Sequence, residues 1–311
     1  MNDTVFSRRR FLKTTAVASL ASAVGLRAGM GAGAADKGSR PLRIDSHVHC
    51  FAGTEDTRFP YHTRGPYRPP AAVTPEHLLQ RMREAQVDHA IIVHPEPYQD
   101  DHRYLEHCLQ VGKGKLKGTL LVFADEPGSL EKVPELCRRL DVVALRVHAH
   151  SADRLPPFGK PELRRLWRLA TEHQLAVQLH FVPRYAAGFE PLIREFANTK
   201  VIIDHMGRPF QGTPEEHAIV LGWARLPNTI MKISSLTAIE ANPQQKAAPM
   251  IRTLTDAWGA DRIIYGDGFG AETTGATYAQ AFARTQSYLA HLSSTDQQKI
   301  LGGTAKQLFK F

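Results

Sequence analysis

The sequence predicts an α/β protein of the (β/α)8 TIM-barrel class, on three observations. Eight short runs rich in β-branched and aliphatic residues alternate with amphipathic stretches along the chain. The runs are continuously apolar rather than alternating, as parallel strands covered on both faces by crossover helices must be. Histidines, and not a glycine-rich phosphate turn, close the first run, which argues against an open doubly wound sheet.

Taken in order, the chain begins with a transport signal. Ser7-Arg8-Arg9-Arg10-Phe11-Leu12-Lys13 matches the twin-arginine export consensus, an uncharged small-residue stretch runs from Thr14 to Leu26, and Ala32-Gly33-Ala34 offers a cleavage site. A bilayer span needs about 20 apolar residues, and this stretch is shorter and rich in Ala and Ser. The sequence therefore divides into a signal peptide over 1–34, a linker over 35–41 and one barrel domain over 42–311. Export by the twin-arginine machinery places the mature protein in the periplasm or outside the cell, and that route admits proteins already folded around a cofactor. Cleavage leaves 277 of the 311 residues, close to the ~250 typical of one such barrel.

Composition narrows the partners. The formal charge is +8, but the leader carries Arg8, Arg9, Arg10, Lys13 and Arg27 against Asp3, so the mature chain keeps +4. No basic run or aromatic-basic interleaving remains, which speaks against a nucleic-acid partner. Cys50, Cys108 and Cys137 match no zinc or redox spacing; Cys108 and Cys137 read as buried free thiols in helices, and Cys50 as a neighbour of the candidate site. Nothing in the sequence sets an oligomeric state.

The strand runs are Leu42–His47, His89–His94, Lys117–Phe123, Val142–Val147, Ala176–Phe181, Val201–Asp204, Thr229–Ile233 and Arg262–Tyr265. Between them Pro75–Ala85 with Thr74 as N-cap, Pro161–His173 and Glu190–Ala197 carry apolar residues at helical spacing. In such barrels the reacting groups sit at the C-terminal ends of the strands. Ile44-Asp45-Ser46-His47-Val48-His49 closes strand 1, and residues two apart on a strand point the same way, so His47 and His49 can converge on one atom. With 15 histidines in the chain, about 0.7 His-x-His triplets arise by chance, and a second, His148-Ala149-His150, illustrates that level. Position distinguishes the first pair: it ends strand 1, with His180 ending strand 5 and His205 ending strand 6.

These motifs are similar to those of the amidohydrolase-related family. The segment ending in His47 and His49, the Phe59-Pro60 and Pro66-Tyr67 loop, and Val201-Ile202-Ile203-Asp204-His205-Met206-Gly207-Arg208-Pro209 resemble its 2-pyrone-4,6-dicarboxylate lactonase and sugar-acid lactonase branch over Leu42 to Phe311. Met231-Lys232-Ile233-Ser234 and the terminal stretch from Ile300 to Phe309 fit the same pattern. The resemblance implies a hydrolase of a small anionic substrate, a carboxylated lactone, with His47, His49 and His205 around the ester and a strand-8 aspartate as base. Arg146 and Arg208 become anion clamps, with Tyr67 and His180 as further substrate contacts. His180 departs from the lactonase pattern and is similar to the metal-dependent decarboxylases of the wider family, in which His47, His49, His180 and a strand-8 carboxylate would hold one divalent metal, zinc by preference for imidazole. The resemblance thus allows work without a cofactor or with one metal, and leaves a decarboxylase or a binding protein without turnover as alternatives.

Strand 8 breaks the pattern. The family reads aromatic-Gly-Ser/Thr-Asp, whereas this chain reads Tyr265-Gly266-Asp267-Gly268, with the only carboxylate one residue early. A one-residue slip turns a side chain to the other face, but the flanking glycines permit a bulge that re-aims Asp267 into the mouth. Asp267 is therefore expected to be the base, and a metal ligand if a metal binds.

Overall fold

The computed structural model describes residues 40–241, 246–266 and 269–311. The expected signal peptide and most of the expected linker lie outside the described residues, and so does Asp267. The strands are β1 Ile44–Val48, β2 His89–Val93, β3 Leu116–Leu121, β4 Val142–Ala149, β5 Ala176–Phe181, β6 Val201–Ile203, β7 Thr229–Ile233 and β8 Ile263–Tyr265. All neighbours pair parallel, in sequential order. β8 returns to β1, where Ser46 Oγ donates to the Tyr265 carbonyl, so the sheet curls into the expected (β/α)8 barrel. Every expected run appears within two residues at each end.

The helices are α1 Pro75–Ala85, α2 Arg103–Val111, α3 Pro127–Glu131, α4 Val133–Arg139, α5 Pro161–Glu172, α6 Glu190–Glu195, α7 Pro214–Gly222, α8 Leu236–Glu240, α9 Ala247–Trp258, α10 Gly275–Tyr288, α11 Ser294–Gln298 and α12 Thr304–Phe309. α1 shows how the sequence sets them. Thr74 Oγ1 accepts from the His77 amide at 3.2 Å and Pro75 occupies the first turn, a cap of about 1 kcal/mol. Leu78, Met82 and Ala85 then bury one face, each larger side chain contributing about 1.5–3 kcal/mol. Among the described residues no helix is long and apolar enough to cross a membrane.

Inside the barrel, Ile44, Ile91, Ile202, Ile230 and Ile264 with Ala144 and Ala176 form a lower apolar layer, closed from below by Ala305 and Phe309 of α12. Side chains alternate along a strand, so the next inward positions are Arg146, Gln178, Asp204 and Lys232, all buried. A charged layer therefore replaces the branched aliphatics usual in such barrels.

β1 departs from strict alternation. Ile44 belongs to the inner layer, yet Val48, four residues on, packs in the outer core against the helices. The register against β2 shifts between Asp45 and Val48, and this irregularity turns His47 and His49 to the mouth. Asp45 is left facing α10, where the Tyr278 hydroxyl donates to its Oδ2 at 2.9 Å, while its Oδ1 accepts from the His47 amide at 2.9 Å. Cys50 does not join the site: it is buried in the outer core with Cys108. Burial, then Cys50, pushes the Cys108 thiol well up, and burial pushes that of the partly exposed Cys137 up to about 11.

Candidate active site

Asp204, one residue past β6, is the hub beneath the mouth. Its Oδ2 accepts from Arg146 Nε at 3.2 Å and Nη2 at 3.1 Å, Gln178 Nε2 lies 2.9 Å from both oxygens, and Lys232 Nζ lies 3.0 Å from Oδ1. His47 Nδ1 stands 3.6 Å from the same Oδ1. Burial would raise the Asp204 carboxyl, but Lys232 and then Arg146 outweigh it and hold the group ionised, well below the usual range. Burial lowers the Lys232 ammonium, and Asp204 opposes the shift. Two cations thus share one carboxylate, and the layer carries a net positive charge towards the mouth.

Above it, His47 and His49 meet with Nε2 atoms 3.3 Å apart. His49 Nδ1 donates to the Val93 carbonyl at 2.7 Å, because a carbonyl can only accept, and this fixes the tautomer whose Nε2 lone pair faces His47. Burial first, and Arg146 next, lower His49 to about 4; burial also depresses His47 well below its ordinary value, despite Asp204. Both rings are therefore neutral at neutral pH. Two nitrogens on one tetrahedral zinc, each about 2.0–2.1 Å from it, stand about 3.3–3.4 Å apart. The pair fits a metal, and the Val93 carbonyl supplies the orienting bond that metal-bound histidines commonly make. His205 and Asp204 offer atoms within 4.8 Å of His47.

His205 owes its place to a strained turn. His205, Met206, Gly207 and Arg208 all have positive φ, between 53° and 71°, and only glycine adopts this without cost; the others each lose about 1–2 kcal/mol. The turn is held by the His205 amide on Ser234 Oγ at 3.1 Å, His205 Nδ1 between Ser234 Oγ at 2.8 Å and Ser235 Oγ at 2.9 Å, and His217 Nε2 donating to the Met206 carbonyl at 2.8 Å. Gly207 is required for a further reason, since a Cβ there would lie 2.6 Å from the Val220 side chain. The turn folds His205 back onto His47, ring centroids 4.6 Å apart, and burial lowers His205 to about 3. Stored strain at such a segment points to function.

The same turn aims Arg208 at His180, with Nη1 donating to Nε2 at 2.6 Å. The His180 ring contacts His205, His148 and His150 at centroid separations of 5.2, 4.7 and 5.0 Å. Beside them opens a cavity of about 440 Å³ lined in part by Arg64, Glu96, His148, His150 and Arg154. Tyr67 lies on the neighbouring loop, 46% exposed, its ring 6.5 Å from Phe51. Partial desolvation and then Glu96 push its phenol up to about 12.

The structure thus brings His47, His49, His205, His180 and Arg208 together at the mouth. Arg146 lies a layer below, engaged by Asp204 rather than open to a ligand. His180 groups with His148 and His150 within 4.8 Å, not with the His47–His49 pair. Sequence reasoning passed over Asp204, Gln178 and Lys232 as side chains of the site. A buried-strand lysine and aspartate, each expensive unless paired, were the signal that could have found them.

Residues 44–311 match the family model described as Amidohydrolase. No curated protein matches the chain. Solved structures similar to it include a probable 2-pyrone-4,6-dicarboxylic acid hydrolase from Acinetobacter baumannii with citric acid bound, at 20% identity and TM-score 0.71, covering 86% of this chain and 99% of that one. An amidohydrolase from Burkholderia multivorans with bound zinc is similar at 18% identity and TM-score 0.69, covering 87% and 99%. The 2,6-dihydroxybenzoate decarboxylase from Rhizobium is similar at 15% identity and TM-score 0.61, covering 87% and 98%. At these identities the likeness is one of fold.

Proposed function

The chain belongs to the amidohydrolase family, and we propose that it hydrolyses a small carboxylated cyclic ester, a lactone, at the mouth formed by His47, His49, His205 and Arg208. One observation carries the reading: neutral imidazoles and a half-buried guanidinium gather above a buried layer in which Arg146 and Lys232 outnumber Asp204. An anionic ring is drawn to that field. Arg208 binds its carboxylate in place of His180, through two parallel hydrogen bonds. His205 and His47 donate to the ester carbonyl oxygen as negative charge develops there. Asp267 takes a proton from water, the oxygen adds to the carbonyl carbon, and the ring C–O bond breaks as Asp267 returns that proton to the leaving oxygen.

A divalent cation on His47 and His49 would add Lewis-acid polarisation of the carbonyl. The deciding experiment replaces Asp267 by Asn, which keeps shape and removes basicity. Lactone turnover should fall by about 10²–10⁴-fold with ligand binding retained, and turnover that survives undiminished rules Asp267 out as the base. The second reading, a metal-dependent decarboxylase, draws on the metal-compatible His47–His49 separation and on the fold shared with the Rhizobium enzyme. Carbon dioxide release from an aromatic acid without lactone turnover would select it; ligand-induced stabilisation with neither reaction would indicate a binding protein. Export through the twin-arginine route, motivated by Arg8 and Arg9, completes the proposal.

A further inference from the structure

We propose that His148, His150 and His180, with Glu96, form a transition-metal site separate from the His47–His49 pair. β4 runs on through Ala149, two residues beyond the expected end, and its register pairs His148 with His180 of β5. His150 follows two residues later, so the three rings converge, with the His148 and His150 centroids 5.1 Å apart. One ligand atom from each lies within 4.8 Å of the others.

Glu96 supplies the carboxylate. It begins the short 3-10 turn after β2, and its Oε1 stands 2.9 Å from His148 Nδ1 and 3.1 Å from His150 Nε2. Ligands about 2.1 Å from one tetrahedral ion stand about 3.3–3.4 Å apart, so these contacts need to open by only a few tenths of an ångström to admit a shared metal. The donors are also open. Nε2 of His148 and Nδ1 of His180 are buried without a hydrogen-bond partner, and leaving a buried polar atom unpaired is costly. Arg208 occupies Nε2 of His180, leaving Nδ1 as the ring's available donor. The cavity lined by Glu96, His148 and His150 gives a path in. Three imidazoles and one carboxylate select zinc, cobalt, nickel or copper over magnesium or calcium. None of these four residues acts on the lactone in the proposed reaction, and the site is read by metal binding and not by turnover.

The probe is Co²⁺, added to the chelator-stripped full protein, with bound metal counted and visible absorption recorded. The double variant H47A/H49A should keep a Co²⁺ ion with an imidazole-type spectrum, and H148A/H150A should lose it. Glu96→Gln, nearly isosteric, should weaken that ion by about tenfold or more. Equal Co²⁺ binding by wild type and H148A/H150A overturns the site, as does the absence of any Co²⁺ beyond that lost in H47A/H49A. Should H148A/H150A fail to fold, Glu96→Gln decides, and unchanged affinity there overturns it equally.

Discussion

Replacing Asp204 by Asn removes one charge from the centre of the barrel and almost no volume. Lys232 and Asp204 have side chains 1% and 0% exposed, and Arg146 only 4%, so two cations lose the carboxylate they share in a place water cannot reach. The asparagine amide also turns a donor towards Lys232, Arg146 or Gln178, all of which donate. Breaking a buried ion pair by removing one partner costs about 3–5 kcal/mol. For a domain of this size about 2–4 °C of melting temperature accompanies each kcal/mol, which gives a fall of about 6–20 °C by calorimetry or circular dichroism. Adding Lys232→Met should restore part of the loss, because it removes one stranded charge, and a double-mutant cycle reads the coupling. The sign with pH is also fixed. Without Asp204 the buried Lys232 can avoid charge only by giving up a proton, and the folded state has a depressed value. The penalty is full at low pH and shrinks as pH rises towards the ordinary lysine value near about 10.4. The gap between variant and wild type should therefore narrow from pH 7 to pH 9.5. A melting temperature within about 2 °C of wild type, against the 6 °C or more expected, would refute the hub.

Gly266→Ala should disturb the site from behind, because its Cβ would lie 2.5 Å from the His47 amide nitrogen and 2.8 Å from the Ser46 carbonyl carbon. Backbone cannot yield cheaply, so a loss of about 1–3 kcal/mol by denaturant titration is expected, with activity falling further than the stability change explains. His49 and His148 are held at about 4 and His205 at about 3, while the unfolded chain takes up these protons near about 6.5. Stability should be level above about 6.5 and fall as pH drops towards 4, each such histidine contributing up to about 1.4 kcal/mol per pH unit; a profile flat from pH 7 to 5 would contradict their burial as neutral groups. Replacing Arg8 and Arg9 by Lys keeps the charge and should leave precursor inside the cell, read by fractionation and immunoblot; unchanged export would dismiss the twin-arginine signal.

What the sequence determined is the barrel and the strand ends that carry its chemistry. Continuous apolar runs are a local property, and eight of them separated by helical periodicity admit few architectures. The same holds for the capped start of α1 at Thr74 and for the placing of His47, His49, His180 and His205 at the C-terminal ends of their strands. What only the tertiary structure decided is which side chains meet. Asp204 finds Arg146 58 residues away and Gln178 26 residues away, and no periodicity within one strand encodes such a pairing. The register irregularity in β1 reverses the alternation that a strand pattern assumes, so the inward turn of His47 and His49 in phase with Ile44 could not be read from spacing. The second His-x-His triplet looked like chance because its meaning lies in β4 extending two residues to pair with β5, where Glu96 from another loop meets it. Sequence patterns report the conformation of neighbours along the chain, whereas curling eight strands around one axis sets the distances that give buried charges their partners and the site its field.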